Sequence, residues 1–419
     1  MQALNLLFFS SMIAIWLLLL VNMILLFYGY RFSERIRSIK FTHLKELTVF
    51  PMISILIPAH NEEVVIEKTL LAMVRLHYPK EAYEIIVIND NSNDQTGALI
   101  EKIKLSFPDC NINHLEIIGE RGGKGKSNAL NIGYKEAKGE FLVIYDADNT
   151  PNSMTLRYLI QEIQSNDRYA AVIGKFRTRN KDRNLLTRFI NIETLSFQWM
   201  AQAGRWELFK LCTIPGTNFI IRRSIIDLIG GWDPDAIAED TEISFRIYQM
   251  GYQIAFMPLA ETYEQEPETL KVWMKQRSRW VNGNLYVLTK NLLHIRQVKN
   301  WGVLFDLFYY FSVYILFLSA IIASDGIFIL GLVTSFKIQI PGNFIVIWVL
   351  SYFVFLLQVS ITLSIEKGEV HKENIFLVSI MYFTYCQLWL LVSLKGLYHF
   401  IVTNVILKQK SKWYKTERF

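Results

Sequence analysis

The tripeptide Asp146-Ala147-Asp148, within YDADN, follows a short apolar run, EFLVIY at 140–145. If the chain is still extended there, residues two apart point to one side. Two carboxylates at that spacing can share a divalent cation, Mg2+ or Mn2+, that bridges a diphosphate. A second acidic group, Glu239, Asp240 and Glu242 in AEDTEISFRI, opens an amphipathic stretch. Acids favour helix N-termini on electrostatic grounds alone; Asp240 would also serve as a general base toward a hydroxyl if its loop faces the first site. Asp90, within NDNSND, can accept from a nucleobase or ribose, and the same residues also suit an Asx turn. Farther on, QRSRW at 276–280 puts Gln276 and Arg279 three apart on one helical face, within reach of a diphosphate. Trp280 follows as a flat apolar surface. Lys271 and Lys275, on the opposite face of that basic, aromatic helix, suit lipid phosphates.

The stretch GERGGKGKSN at 119–128 resembles a phosphate-binding P-loop, because it follows an apolar run and opens a helix whose first N–H groups could hold an anion. The nucleotide-hydrolase pattern needs four residues between its glycines, and Gly119 and Gly125 are separated by five. What remains is a basic, glycine-rich loop that offers Lys124 and Lys126 to diphosphate oxygens.

These groups need a frame. From Ile53 onward, short β-branched runs (ISILI, EIIVI, LEII, EFLVIY) alternate with amphipathic stretches that start near Glu62, Asp94, Lys126 and Ser153. Continuous apolar runs alternating with helices imply parallel strands in right-handed crossover units, hence an α/β sheet of the doubly wound kind. Ligands bind at the carboxyl ends of such strands. The polar clusters PAHNEE, NDNSND, GERGGKGKSN and DADN fall at those four ends.

The chain has 419 residues, of which 52% are hydrophobic, and the apolar excess is concentrated at its two ends. Residues 5–28 carry no charge over 24 positions, long enough to cross a hydrocarbon core of roughly 30 Å. No small-residue cleavage site precedes Tyr28, so this reads as a retained anchor. Arg31, Arg35, Arg37 and Lys40 follow it directly and assign the next domain to the cytoplasm. Further apolar runs lie at about 303–334, 343–365 and 375–402. Three full crossings would put the basic tail, KQKSKWYKTERF, on the opposite side from the cytoplasmic domain. One run is therefore miscounted, and the run broken by Asp325 and Gly326 is the candidate. The expected organisation is an anchor at 1–30, a catalytic domain at 31–300, a membrane region of about three spans at 301–404 and a tail at 405–419. Cys110, Cys212 and Cys386 form neither a disulfide pattern nor a zinc spacing. The net charge of +6 is explained by basic residues flanking the apolar helices, so nucleic acid is not an expected partner.

Asp90, the DAD at 146–148, the AED at 238–240 and QRSRW at 276–280 come in the order of the signatures of the family 2 glycosyltransferases. With flanking membrane helices, the chain resembles the processive membrane synthases of cellulose, hyaluronan and poly-N-acetylglucosamine. The resemblance implies a GT-A fold, a Rossmann-like mixed α/β sheet, inserted between transmembrane helices. It implies a UDP-sugar donor, Mg2+ or Mn2+ at Asp146 and Asp148, and inversion at the anomeric carbon. Glu62 and Asp90 would lie by the uridine, Lys126 by the donor, Gln276 and Arg279 by the diphosphate. Asp240 would be the general base; Gly216 and Thr217, in IPGTNF, and Trp280 would meet the acceptor. The chain departs from the family at Asn89, where paired aspartates are common, and at Ala238, where Thr is common; neither change removes a carboxylate the chemistry needs.

The function this implies is transfer of GlcNAc or glucose to a growing exopolysaccharide, with translocation across the cell membrane and, as partners, the lipid bilayer and subunits from an exopolysaccharide operon. The alternatives are a single-addition transferase acting on a lipid carrier or glycolipid, and a catalytically silent subunit regulated by nucleotide.

Overall fold

The computed structural model describes residues 2–39, 47, 49–293, 295, 301–334, 344–407 and 416–418; Lys40, the expected boundary at 300 and residues 408–415 of the tail lie outside them. The apolar runs form the strands β1 (Ile53–Ala59), β2 (Tyr83–Asp90), β3 (Ile112–Ile117), β4 (Phe141–Ile144), β5 (Thr150–Pro151), β6 (Tyr169–Thr178), β7 (Phe219–Arg222) and β8 (Gln253–Glu264). They make one sheet in the order β3-β2-β1-β4-β7-β6-β8-β5.

The first four strands are mutually parallel, as the alternating pattern implies. The rest of the sheet is mixed, because β7 runs antiparallel to both β4 and β6. This reversal has a positional consequence. Ile144, at the carboxyl end of β4, pairs with Phe219 at the start of β7. The loop Ile214–Asn218 is thereby delivered to the end of β4, where the two aspartates lie.

The central strands are apolar along their whole length because both faces are covered: Ile55, Ile57, Ile85, Val87 and Val143 are fully buried. Burial of one such side chain contributes ~1.5–3 kcal/mol relative to exposure. Helices Ile66–Met73, Thr96–Ser106, Lys126–Glu136 and Thr155–Gln164 supply the cover. With its apolar residues committed inward, the sheet presents its polar loops at one edge.

Among the described residues, four helices are long and apolar enough to cross a membrane: Gln2–Ser38, Trp301–Gly331, Val346–Ile365 and Tyr385–Asn404. The first docks on the α/β domain by close backbone approach. A Cβ on Gly29 would fall 1.9 Å from the Trp199 carbonyl oxygen, and one on Gly204 would fall 2.2 Å from that of Leu25. Small residues permit such contact where helices cross. Arg35 then fixes the helix end by pairing with both carboxylate oxygens of Glu207, at 2.9 and 2.6 Å.

The stretch around Asp325 and Gly326 is unbroken helix. The irregularity in that run is a π-helical turn at Ser312–Phe317. The last apolar run packs closely on a neighbouring helix. Tyr385–Phe400 lies along the helix Leu270–Leu293: the Trp273 indole N–H donates to the Tyr385 hydroxyl at 3.0 Å, the Trp273 and Trp389 rings are 6.0 Å apart, and a Cβ on Gly396 would meet the Ser278 carbonyl at 3.0 Å. Asn404 reaches Asn282 of the same helix at 3.4 Å.

Buried ion pairs join the two regions. Lys175 of β6 is 2.5 Å from Glu366, Arg177 is 3.0 Å and Lys181 is 2.7 Å from Glu369, and Arg205 is 2.9 Å from Asp306.

Candidate active site

A cavity of about 520 Å3 opens at the carboxyl ends of β1, β2 and β4 and continues past the helix Leu270–Leu293, the interface helix, to the aromatic side chains Tyr310, Tyr314 and Trp389. Glu62, Asp90, Lys126, Asp146, Asp148, Gly216, Thr217, Asp240, Gln276, Arg279 and Trp280 all line it. The structure therefore brings together the residues singled out in the sequence for donor, acceptor or catalysis, with one exception. Lys124, the other lysine of the glycine-rich loop, is exposed at the surface instead.

Asp90 ends β2 and is held by the loop across from it: the Gly123 N–H donates to its Oδ1 at 2.7 Å. A side chain at Gly122 would fall 2.3 Å from that oxygen, which accounts for the paired glycines. Burial raises the Asp90 pKa, and the Gly123 N–H partly offsets it. Lys126 opens its helix and points inward. Its ammonium is 2.6 Å from Asp146 Oδ1, 2.7 Å from the Gly216 carbonyl and 3.5 Å from Glu239. Burial alone would lower its pKa; Asp146 and Glu239 raise it and keep it charged.

The aspartate pair is not extended. The Asn149 N–H donates to the Asp146 carbonyl at 3.1 Å, closing a turn. The Asp146 N–H donates to Asn149 Oδ1 and to Thr217 Oγ1, both at 3.0 Å, and the Thr217 hydroxyl also bonds Asn149. The expectation of two side chains projecting from a continuing strand fails because these side-chain acceptors capture the backbone. The two carboxylates still reach one cavity, with different partners: Asp146 faces Lys126, whereas Asp148 is buried and accepts from the Gln265 N–H at 2.9 Å and from Arg418.

Gly216 has a φ of +87°, and a Cβ there would lie 2.8 Å from Asp240 Oδ2 and 3.6 Å from the Lys126 ammonium. The backbone of IPGTNF thus packs directly on the Asp240 carboxylate. Burial, followed by the adjacent Glu239, pushes the Asp240 pKa up to about 7, while Lys126, the Thr241 N–H and Arg279 act in the opposite direction. A carboxylate poised near neutrality suits proton transfer.

On the interface helix, the buried Gln276 accepts from Arg277 at 2.9 Å. Arg279 points into the cavity, and its buried Nε has no hydrogen-bond partner among the described residues. An unsatisfied guanidinium nitrogen beside a cavity is a place for an anion. Trp280 is 38% exposed, and the Arg277 guanidinium lies 3.9 Å from its ring centroid; one face is therefore occupied, which the sequence did not reveal.

The carboxylates in the cavity lining outnumber the cations. Glu264 illustrates the excess: burial and then Glu266, Asp148 and Asp146 raise its pKa well above the usual carboxylate range. Among the described residues no group of three His, Cys, Asp or Glu is arranged to hold a metal. Mg2+ and Mn2+ at nucleotide sites commonly take one or two carboxylates and complete their shell with phosphate oxygens and water, so the donor set Asp146 and Asp148 fits such an ion. Glu264 and Arg418 were not recognisable as site residues in the sequence. Glu264 ends a strand without a motif, and a basic tail beyond apolar helices is equally explained by lipid headgroups.

The family model described as "Glycosyl transferase family 2" matches residues 54–230. Over 419 residues the chain is 48% identical to "Probable glycosyltransferase YdaM" of Bacillus subtilis (strain 168), covering 99% of this chain and 98% of that one. The chain belongs to glycosyltransferase family 2. Another relative of this family 2 enzyme is the poly-beta-1,6-N-acetyl-D-glucosamine synthase of Staphylococcus aureus (strain COL), 33% identical over 249 residues, which are 59% of this chain and 58% of the synthase. Among solved structures, the mannosyltransferase PcManGT from Pyrobaculum calidifontis, in complex with GDP-Man and Mn2+, matches 93% of this chain and 99% of its own at a TM-score of 0.63 and 20% identity. That likeness shows the GT-A-like mixed sheet of a family 2 glycosyltransferase.

Proposed function

We propose that this family 2 glycosyltransferase moves GlcNAc or glucose from a UDP-sugar to the hydroxyl of a growing exopolysaccharide at a cell membrane. The observation that carries the reading is one continuous cavity. It has acidic residues, Lys126 and Arg279 at the strand ends, the half-buried Asp240 between, and an aromatic end among apolar helices. The similarity to the staphylococcal synthase supports GlcNAc and a polymeric acceptor.

In this reading Asp90 and Glu62 receive the uridine, and Lys126 and Arg279 face the diphosphate. A Mg2+ or Mn2+ ion at Asp146 and Asp148 supplies charge neutralisation to that diphosphate. Asp240 takes the proton of the acceptor hydroxyl as its oxygen bonds to the anomeric carbon; the bond from that carbon to the diphosphate oxygen breaks, and its electron pair leaves with UDP. Attack opposite the leaving group inverts the anomeric centre. Gly216 keeps the approach to Asp240 open because any side chain there would collide with the carboxylate. Trp280 offers its uncovered face to the acceptor sugar, and Thr217 holds the turn of the aspartate pair.

The contacts support one reading of the membrane arrangement. With the last apolar helix lying along Leu270–Leu293 and Arg418 back in the cavity, three helices cross: Gln2–Ser38, Trp301–Gly331 and Val346–Ile365. The catalytic domain and tail then share the cytoplasmic side, which removes the parity conflict in the sequence.

The test is incubation of the membrane-embedded protein with a panel of UDP-sugars and Mg2+ or Mn2+, with UDP release and product length read together. UDP release with long products supports the reading. Release with a single added sugar on a lipid establishes the single-addition alternative, and no release from any UDP-sugar refutes the donor assignment.

A further inference from the structure

Asp148 is the buried member of the aspartate pair, with a side chain 4% exposed. A carboxylate so enclosed must be paired, because desolvation of an isolated charge is too unfavourable. Its partner comes from the far end of the chain. Arg418 Nη1 is 2.9 Å from Asp148 Oδ2 and Nη2 is 3.0 Å from Oδ1, a two-pronged contact. The same guanidinium places Nε 3.5 Å from Glu62 Oε2 and Nη1 3.4 Å from the Gln265 carbonyl. Thr416 also lines the cavity and is buried, and Glu417 is 3.8 Å from Lys275 on the interface helix. Three consecutive tail residues are thus seated against the donor end and the helix beside it.

Both Asp148 oxygens are engaged by this guanidinium, and Oδ2 additionally accepts the Gln265 N–H. A divalent ion carrying a diphosphate needs the same oxygens. The two cations exclude each other on Asp148: the guanidinium fork spans the whole carboxylate edge, and like charges at contact distance repel. The surrounding excess of carboxylates means the donor end always requires some cation. Lys126 is already committed to Asp146 and Glu239.

We propose that Arg418 is the resident counter-ion of the donor site, holding Asp148 and Glu62 in the donor-free protein and giving up Asp148 when a divalent ion binds. The inference rests on the reading of Asp146 and Asp148 as the metal and diphosphate site. It makes the tail a competitor of the metal and sets the metal concentration at which the site loads. If Arg418 covers Asp148 nine-tenths of the time, apparent metal affinity is reduced ~10-fold, by the fraction of protein competent to bind.

The experiment is a Mn2+ titration of the full-length protein in detergent without nucleotide, with free Mn2+ followed by electron paramagnetic resonance. Arg418→Gln is expected to bind Mn2+ ~10-fold more tightly than wild type, and Arg418→Lys, which keeps the charge but loses the fork, to fall between. Asp148→Asn should lose Mn2+ binding in either background. Unchanged or weaker Mn2+ affinity in Arg418→Gln, with Asp148→Asn still losing the ion, overturns the counter-ion role and leaves the metal reading intact. Mn2+ affinity indifferent to Asp148→Asn overturns the metal reading itself. Circular dichroism melts of each variant verify that the comparison is among folded proteins.

Discussion

The two ends of the cavity manage charge in opposite ways. At the donor end, the pairs Lys126–Asp146 and Arg418–Asp148 line the open cavity, and Arg279 keeps a nitrogen without a hydrogen-bond partner among the described residues. Toward the membrane helices, charges are closed into buried pairs, Arg205 with Asp306 and Lys175 with Glu366, and the lining turns to Tyr310, Tyr314 and Trp389. Ion pairs that face an open cavity can exchange a partner for an arriving charged ligand, whereas pairs closed away from it serve packing. The difference separates groups held available for chemistry from groups that hold the domain to its membrane helices.

The sharpest way to break this comparison is Asp240→Asn. It removes a proton acceptor but no ligand, so the rate of transfer should fall on the order of 10² to 10⁴ fold while UDP binding in Mn2+, measured by calorimetry, stays nearly unchanged. Undiminished turnover would refute the base assignment. At the other end, Asp306→Ala strands the buried Arg205 charge. A stability loss of roughly 3–5 kcal/mol is expected, read as a lower unfolding midpoint in detergent; an unchanged midpoint would show that this pair does not anchor the domain.

The acidity of Asp240 sharpens the contrast further. Its pKa is pushed up to about 7, and the base works only when deprotonated. Below that value kcat/KM should therefore fall ~10-fold per pH unit and level off above it. A flat profile between pH 5 and 7, measured by initial rates, would contradict the role. The smallest effect is expected for Trp280→Ala, about 0.5–1.5 kcal/mol, appearing as shorter products at unaltered UDP affinity. An equal loss of UDP affinity would place the indole with the donor.

Two carboxylates of the donor end were readable in the sequence because each closes a short apolar run. Asp90 and Asp146 sit where a buried strand stops and a polar loop begins, and the burial of β1, β2 and β4 follows from composition alone. The reversal of β7 was not readable, since a four-residue strand carries no mark of its direction. The turn at Asp146–Asn149 escaped for a similar reason: it depends on Thr217, which reaches Asp146 only once β7 is paired with β4. Contacts between distant segments, Lys175 with Glu366 or Asp148 with Arg418, leave no periodic trace. Arg418 was hidden further by a simpler explanation for a basic tail.

The close fit of Gly29 on Trp199, a few residues before Arg35 grips Glu207, makes the first helix a gauge of height. Each residue advances a helix by about 1.5 Å and turns it by about a quarter of a revolution. A residue inserted ahead of Leu25 lengthens the free part of the helix but leaves the domain seated. One inserted between Gly29 and Arg35 sets the two attachment points against each other. The seat of the domain on this helix is thus fixed by the stretch from Leu25 to Arg35.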